Sequence, residues 1–353
     1  MRPEPPGRGT TANPPNRYEP LHVELDPDPD EDVERSTGTP TVFYRDASRS
    51  ILAENDSPDI GFRFSLNPYR GCEHGCIYCY ARPSHEYLGF SAGLDFERRI
   101  MVKEDAPALL RAALAAPRWE PQVVCLSGNT DCYQPIERRL ELTRRCLEVF
   151  AEFRNPVSAI TKSALVARDA DLFGALARDG AAHVYVSVTT LDAELARRME
   201  PRAARPERRI GAIATLAAAA VPVGVMIGPV VPGLNDAEIP RIIEAAARAG
   251  AHAASWVLLR LPKPVDELFD GWLAEHYPER QARVLARIRE TRGGRISEAR
   301  FGLRQRGQGE YAEQIAALFD VAARKHGLDR GMPPLSAAAF RRPPRPGDQL
   351  PLW

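Results

Sequence analysis

Short apolar, β-branched runs alternate along the chain with longer stretches that carry the ~3.6-residue helical period. The runs Phe62–Leu66, Val123–Ser127, Val157–Thr161, His183–Thr189, Val221–Gly228 and His252–Leu259 are predicted strands. The stretches Ala106–Ala115, Ile136–Phe153, Ala170–Arg178, Glu207–Ala219 and Ala237–Ala249 are predicted helices. Gly180 and Gly250 stand where a helix can end in a left-handed residue, and Asn235 or Asp236 can cap a helix start. Strands separated by single helices pair in parallel through right-handed crossovers. Six such units are too few for a closed eightfold barrel, so the expected fold is α/β, a partial (βα)6 TIM-like barrel over residues 41–265. Two further helical stretches, Glu279–Glu290 and Glu310–His326, predict a helical cap over residues 266–332. In barrels of this kind chemistry collects on loops at the C-terminal ends of the strands.

Both ends of the chain read differently. Residues 1–40 hold nine acidic residues and four arginines among many prolines, too little apolar area to offset the entropy of ordering. A disordered arm is expected there, and a second Pro-rich tail over 333–353, whose Leu350, Pro351, Leu352 and Trp353 can dock or fray. The whole chain has zero net charge, with Lys+Arg and Asp+Glu both 47. That balance withholds support for a polyanionic partner without excluding one, because the acidic arm masks a mildly basic remainder. No apolar run is long enough to span a membrane, and the N-terminus has no apolar signal region, so a cytoplasmic, reduced protein is expected.

The chemistry is concentrated directly after the first predicted strand. Cys72, Cys76 and Cys79 have the spacing C-x3-C-x2-C, and Gly71 and Gly75 let the backbone wrap closely around them. Three thiolates on one loop can converge on one metal centre. A structural zinc site needs four ligands, with His74 as the fourth; a [4Fe–4S] cluster held by three cysteines leaves one iron open to a substrate or cofactor.

The loop Cys72-x3-Cys76-x-Tyr78-Cys79 resembles the signature of the radical S-adenosylmethionine (radical SAM) superfamily. Asn67-Pro68-Tyr69-Arg70-Gly71-Cys72, Thr130 to Glu137, Thr161-Lys162-Ser163 and Val186-Ser187-Val188-Thr189 resemble its spore photoproduct lyase-like, DNA repair photolyase-type branch. The resemblance implies a [4Fe–4S] cluster ligated by Cys72, Cys76 and Cys79, and SAM bound at the open iron and cleaved reductively to a 5′-deoxyadenosyl radical. It also implies an external electron donor of flavodoxin or ferredoxin type. For SAM it points to Tyr78 bordering the adenine, to Ser127, Gly128 and Asn129 near the amine, to Lys162 at the carboxylate and to Ser187 inside the barrel. The 127–129 segment departs from the family's usual Gly-Gly-Glu.

Spore photoproduct lyase draws a hydrogen-donor cysteine from this part of its barrel. Here Cys132, on a polar loop with Tyr133 as an electron relay, is the expected donor; Cys125, within an apolar strand, reads as a buried inert thiol. Cys146 lies in an amphipathic helix. His85, Glu86 and Tyr87 are placed at the mouth of the site. The arginine-rich stretch 197–209 is either a phosphate-binding face or a solvated one, and Glu200 within it is a further candidate for SAM. The expected activity is therefore radical chemistry on an unidentified substrate, with a nucleic-acid base or lesion as the leading class and no membrane partner. The competing readings are a non-catalytic nucleic-acid-binding module stabilised by zinc or iron–sulfur, and an electron-transfer protein.

Overall fold

A computed structural model describes residues 7–10, 12–18 and 40–343. Its strands are β1 (Val42–Arg45), β2 (Leu52–Glu54), β3 (Phe64–Leu66), β4 (Tyr69–Arg70), β5 (Arg99–Val102), β6 (Val124–Leu126), β7 (Val157–Thr161), β8 (Ala182–Ser187), β9 (Val223–Val230) and β10 (Ala253–Leu258). The main sheet has the order β10-β9-β8-β7-β6-β3-β2. From β3 to β10 every neighbouring pair is parallel and each crossover advances by one strand, which winds the sheet in a single direction. Only β2 runs antiparallel, on the β3 edge, and β10 does not pair with it, so the barrel stays open on one side. This is the expected partial (βα)6 architecture. A small sheet, β1-β5-β4, flanks the cysteine loop. Its β1 strand, Val42-Phe43-Tyr44-Arg45, is a short β-branched and aromatic run that is mostly exposed and was not among the predicted strands.

Alternation along each strand separates two environments. Val124, Leu126, Val157, Ala159, Val184, Val186, Val223, Val225 and Ile227 pack outward into the main core beneath the helices. The opposite face forms the lumen, where Ser65, Cys125, Ser158 and His183 stand in register as one row. Ile160, Tyr185 and Gly224 form the next row, and Ser187, Met226 and Ser255 the one above it. A Cβ at position 224 would come within 2.5 Å of the Tyr185 ring, so glycine there makes room for an aromatic side chain inside the barrel.

The predicted helix Ile136–Phe153 is split into Glu137–Leu140 and Leu142–Phe153 by Glu141, whose φ is 51°. The buried Glu137 carboxylate holds the break by accepting from the Thr143 backbone N–H at 3.1 Å. Asn235 does not cap the next helix but is buried: its Oδ1 accepts from Val231 N at 2.6 Å and its Nδ2 donates to Thr189 O at 2.7 Å. The helix it precedes begins as a 3-10 turn, Asp236–Glu238, before Ile239–Arg248. Helix Ala193–Met199 was not foreseen, and Val265–His276 opens the region expected to be helical without having been delimited there.

Both chain ends hold ordered contacts where they are described. Residues 7–10 and 12–18, part of the arm expected to be disordered, lie along the outside of the cysteine loop: Leu94 N donates to Ala12 O at 3.0 Å, and Asn16 Nδ2 to Glu86 O at 2.9 Å. At the other end Ser336 N donates to Gly180 O at 2.9 Å, Arg341 N to Phe153 O at 2.9 Å, and Phe340 packs on Phe153. The tail thus runs under the N-terminal end of the barrel. Residues 350–353 lie outside the described residues. Among the described residues no helix is long and apolar enough to cross a membrane.

Candidate active site

The loop that follows β3 is held from beneath by one arginine. Arg82 is fully buried and donates to Cys76 O at 3.0 Å, Gly75 O at 3.3 Å and Gly93 O at 2.8 Å. It also pairs with the equally buried Glu97 at 2.5 Å. Burial pushes the Glu97 carboxyl up, and Arg82 opposes that shift. The other Glu97 oxygen accepts from Gly9 N at 2.9 Å, and a Cβ on Gly9 would sit 1.7 Å from Gly75 O. Gly71 and Gly75 both have positive φ, 78° and 67°, and a Cβ at 75 would meet Glu97 at 2.7 Å. The loop therefore follows the Arg82–Glu97 pair as closely as backbone permits.

Cys72, Cys76 and Cys79 are free thiols. Burial pushes all three above the ordinary thiol range; Asp131 and the other two thiols add to the shift of Cys72, and Glu200 to that of Cys76. Among the described residues no three His, Cys, Asp or Glu side chains are drawn together as a site for one ion. A lone zinc would need four donors within about 4 Å of one another. Nor is His74 turned freely to that task, since its Nδ1 lies 3.4 Å from Asp131. Three soft thiols, each able to take a different iron, have the donor chemistry of an iron–sulfur cluster.

Above this loop stands a buried acid–base assembly. Glu200 accepts from the Tyr78 hydroxyl and from Thr189 Oγ1, and pairs with Arg209, which also donates to Ala204 O and Ser187 O. Burial alone would raise the Glu200 carboxyl, but Arg209, then Lys162, and the two hydroxyls hold it below its ordinary value. The assembly fixes the Tyr78 ring, and Lys162 Nζ stands 5.8 Å from that ring's centre. The same ammonium is close enough to Cys76 and Cys79 to favour their thiolates. Asp131 orients the Lys162 backbone, accepting from its N–H at 2.8 Å and from Thr161 Oγ1 at 2.7 Å.

The other predicted residues divide. Ser187 is buried and belongs to the lumen face. Ser127, with φ 72°, turns its hydroxyl back to accept from Cys132 N at 2.8 Å. Gly128 O accepts from the Tyr80 hydroxyl at 3.1 Å, and Asn129 Nδ2 donates to Ser84 Oγ at 3.2 Å, so this turn is tied to the cysteine loop. Cys132 and Tyr133 do not face the lumen. Both sit in the main core, with the Tyr133 hydroxyl donating to Asp169 at 3.0 Å. Cys125, read as inert from its apolar neighbours, is the cysteine on the lumen face, in register with Ser65 and Ser158 and within electrostatic reach of Tyr80. Burial raises its thiol to about 12. For Cys125 the origin is simple: strand alternation, not neighbour polarity, decides which way a strand side chain points.

His85 is buried beneath the loop, lowered to about 4 by burial, and Glu86 is buried against Arg17 at 2.6 Å; neither lines the mouth. Tyr87 is exposed and stacks on Tyr18. Cys146 is core. In the 197–209 stretch Arg197 and Arg198 pair with Glu194, Arg202 with Glu73 and Arg209 with Glu200, so most of its charge is spoken for internally. Sequence reasoning missed Arg82, Glu97, Asp131 and Tyr80. Arg82 and Tyr80 lie within a few residues of the cysteine motif, whereas Glu97 and Asp131 reach it from later segments, and no spacing in the sequence ties the four together.

An open, singly wound βα barrel with three free thiols on the loop after its first parallel strand defines a class of enzyme scaffold that carries a metal cofactor at the strand ends. Comparison with known proteins gives the family: the model described as "Radical SAM superfamily" matches residues 66–246, just over half of the chain. The chain belongs to the radical SAM superfamily, whose members are enzymes that use SAM for radical chemistry. It is 37% identical over 231 residues to an uncharacterized protein of Mycobacterium tuberculosis (strain ATCC 25618 / H37Rv), covering 65% of this chain and 67% of that one. It is 30% identical over 178 residues to an uncharacterized protein of Methanocaldococcus jannaschii, covering 50% and 64%. In fold it is similar to spore photoproduct lyase complexed with dinucleoside spore photoproduct, with a TM-score of 0.57, 16% identity, and coverage of 81% of this chain and 79% of that one.

Proposed function

We propose that this protein holds a [4Fe–4S] cluster on Cys72, Cys76 and Cys79, binds SAM beside it, and directs a radical into the barrel lumen toward a nucleic-acid base or lesion. The cluster, reduced by an external flavodoxin- or ferredoxin-type donor, would supply the electron that cleaves SAM to a 5′-deoxyadenosyl radical. The observation that carries this reading is the placing of Lys162: a cation near two of the three thiols, over the Tyr78 face, supports a role in binding the SAM carboxylate. Arg82, paired with Glu97, holds the loop carbonyls so that the thiols keep their positions. Glu200 and Arg209 lock Tyr78. Cys125, the cysteine on the lumen face, takes over from Cys132 as the candidate hydrogen donor. The raised thiols mean that loading iron must release protons, so cluster assembly should become easier as pH rises.

The test is anaerobic reconstitution, reduction, addition of SAM and assay for 5′-deoxyadenosine. No product above a Cys76→Ala control overturns the proposal. Lys162→Ala should weaken SAM binding while leaving the cluster's absorption spectrum unchanged. The non-catalytic nucleic-acid module gains nothing from the arginine-rich stretch, most of which is paired internally.

A further inference from the structure

On the side where the barrel is not closed by strand pairing, positive charge is left over. Arg260 follows β10 and is half-buried, yet it makes no hydrogen bond or ion pair with any described residue. Its guanidinium stands 5.7 Å from the centre of the Tyr80 ring, and Tyr80 is the residue after Cys79. Two more arginines crowd it. Arg304 is matched, donating to Asp59 at 2.7 Å and bridging to Ser57. Arg292 is not. It is 1% exposed, donates to Leu259 O at 2.5 Å and Leu303 O at 2.8 Å, and keeps a buried Nε with no partner. The nearby Glu298 is engaged by Arg300 at 2.6 Å.

Like charges held together in a half-buried place are costly unless a counter-ion joins them. Arg304 is matched by Asp59, whereas among the described residues no carboxylate is bonded to Arg260 or Arg292, so the surplus is about two charges at ordinary pH. A carboxylate ligand would bring one charge and a single fork. A phosphate brings more than one charge and oxygens pointing in several directions, which suits guanidiniums arriving from different loops. The exposed Tyr80 face beside them offers a flat surface for a ring. Below, the lumen rows include Ser65, Cys125, Ser158, Tyr185 and Ser255, whose hydroxyl and thiol groups carry no fixed charge, and His183, whose charged form burial disfavours.

We infer that Arg260, backed by Arg292 and flanked by Tyr80, forms a phosphate-holding subsite at the open edge of the barrel, which anchors the anionic part of a phosphate-bearing substrate while its neutral part enters the lumen. This rests on the proposed function, because it takes the lumen as the place where substrate is attacked.

Three probes test it by calorimetry on the anaerobically reconstituted protein: thymidine 5′-monophosphate, thymidine, and a short single-stranded oligodeoxynucleotide. The nucleotide should bind at least about tenfold more tightly than the nucleoside, the range expected for hydrogen bonds to a charged group. Arg260→Gln should remove that advantage and Arg260→Lys should restore part of it. Tighter binding of the oligonucleotide assigns the phosphate to a polymer; equal binding assigns it to a small nucleotide. Equal affinity for nucleotide and nucleoside in the parent protein, no binding of either, or an unchanged advantage in Arg260→Gln overturns the inference. Formation of 5′-deoxyadenosine by the parent protein without any added phosphate compound is scored separately, so failure here is distinguishable from failure of the radical reading.

Discussion

The cysteine loop and the open edge of the barrel both depend on buried or half-buried arginines, but in opposite ways. Beneath the loop, Arg82 has every nitrogen engaged by carbonyls and by Glu97, and Arg209 is likewise matched by Glu200. At the open edge Arg260 stands over the Tyr80 ring with no hydrogen bond or ion pair among the described residues, and Arg292 has one nitrogen to spare. A satisfied buried cation serves to fix a backbone, whereas an unsatisfied one is a binding group waiting for its anion. The same residue type therefore marks scaffold on one side of the site and recognition on the other.

The largest expected effect is on the satisfied side. Arg82→Leu would leave Glu97 charged and unpaired, costing about 3–5 kcal/mol in urea unfolding and lowering iron bound per chain after reconstitution. The double variant Arg82→Leu/Glu97→Leu should recover a good part of that loss; if it is no more stable than the single variant, the pair is not what holds the loop. Next, Cys132→Ala should cost about 1–2 kcal/mol through lost core packing, and Cys125→Ala less than about 1 kcal/mol. The opposite ranking in thermal unfolding would contradict the assignment of core and lumen cysteines.

On the open side Asp59→Asn should change stability by no more than about 1 kcal/mol. Hydrogen bonds from Arg304, outweighing partial burial, lower Asp59 to about 2 from an ordinary 3.8. Its stabilising share is therefore complete above pH 3.8 and lost as pH falls through about 2. The difference between parent and variant in acid unfolding should shrink over that window, and a difference that persists at the low end would count against the Asp59–Arg304 contact. The smallest effect belongs to Gly9→Val, which cannot fit against Gly75. It should expose residues 8–18 to protease while leaving the global transition within about 1 kcal/mol.

Much of this was legible beforehand. Strand periodicity placed all six parallel strands to within a few residues, since their outward faces are nearly unbroken aliphatic. The cysteine spacing singled out the loop that the fold sets at the end of the first parallel strand, because its three thiols are local in sequence. What stayed hidden was non-local. Arg82 looks like any arginine until Gly93 and Glu97 fold over it, and Tyr80 gains meaning only when Arg260, from the far end of the barrel, arrives beside it. Cys125 was read as inert because polarity of the surrounding sequence was weighed above the two-residue alternation of its strand, and nothing local showed that the following loop turns Cys132 into the core. Glu137 broke a helix whose apolar period ran on undisturbed.

Residues 8–17 leave the ribosome before any other part of this site exists. Their partners, Glu86 to Glu97, follow some 69 to 89 positions later. Closing so long a loop is entropically costly, and the contact has no local structure to nucleate it. During synthesis the cysteine loop must therefore form before this strap can lie across Gly75. This earlier-made strap is thus among the last parts of the site to settle, and the three thiols pass through a period in which their outer side is uncovered.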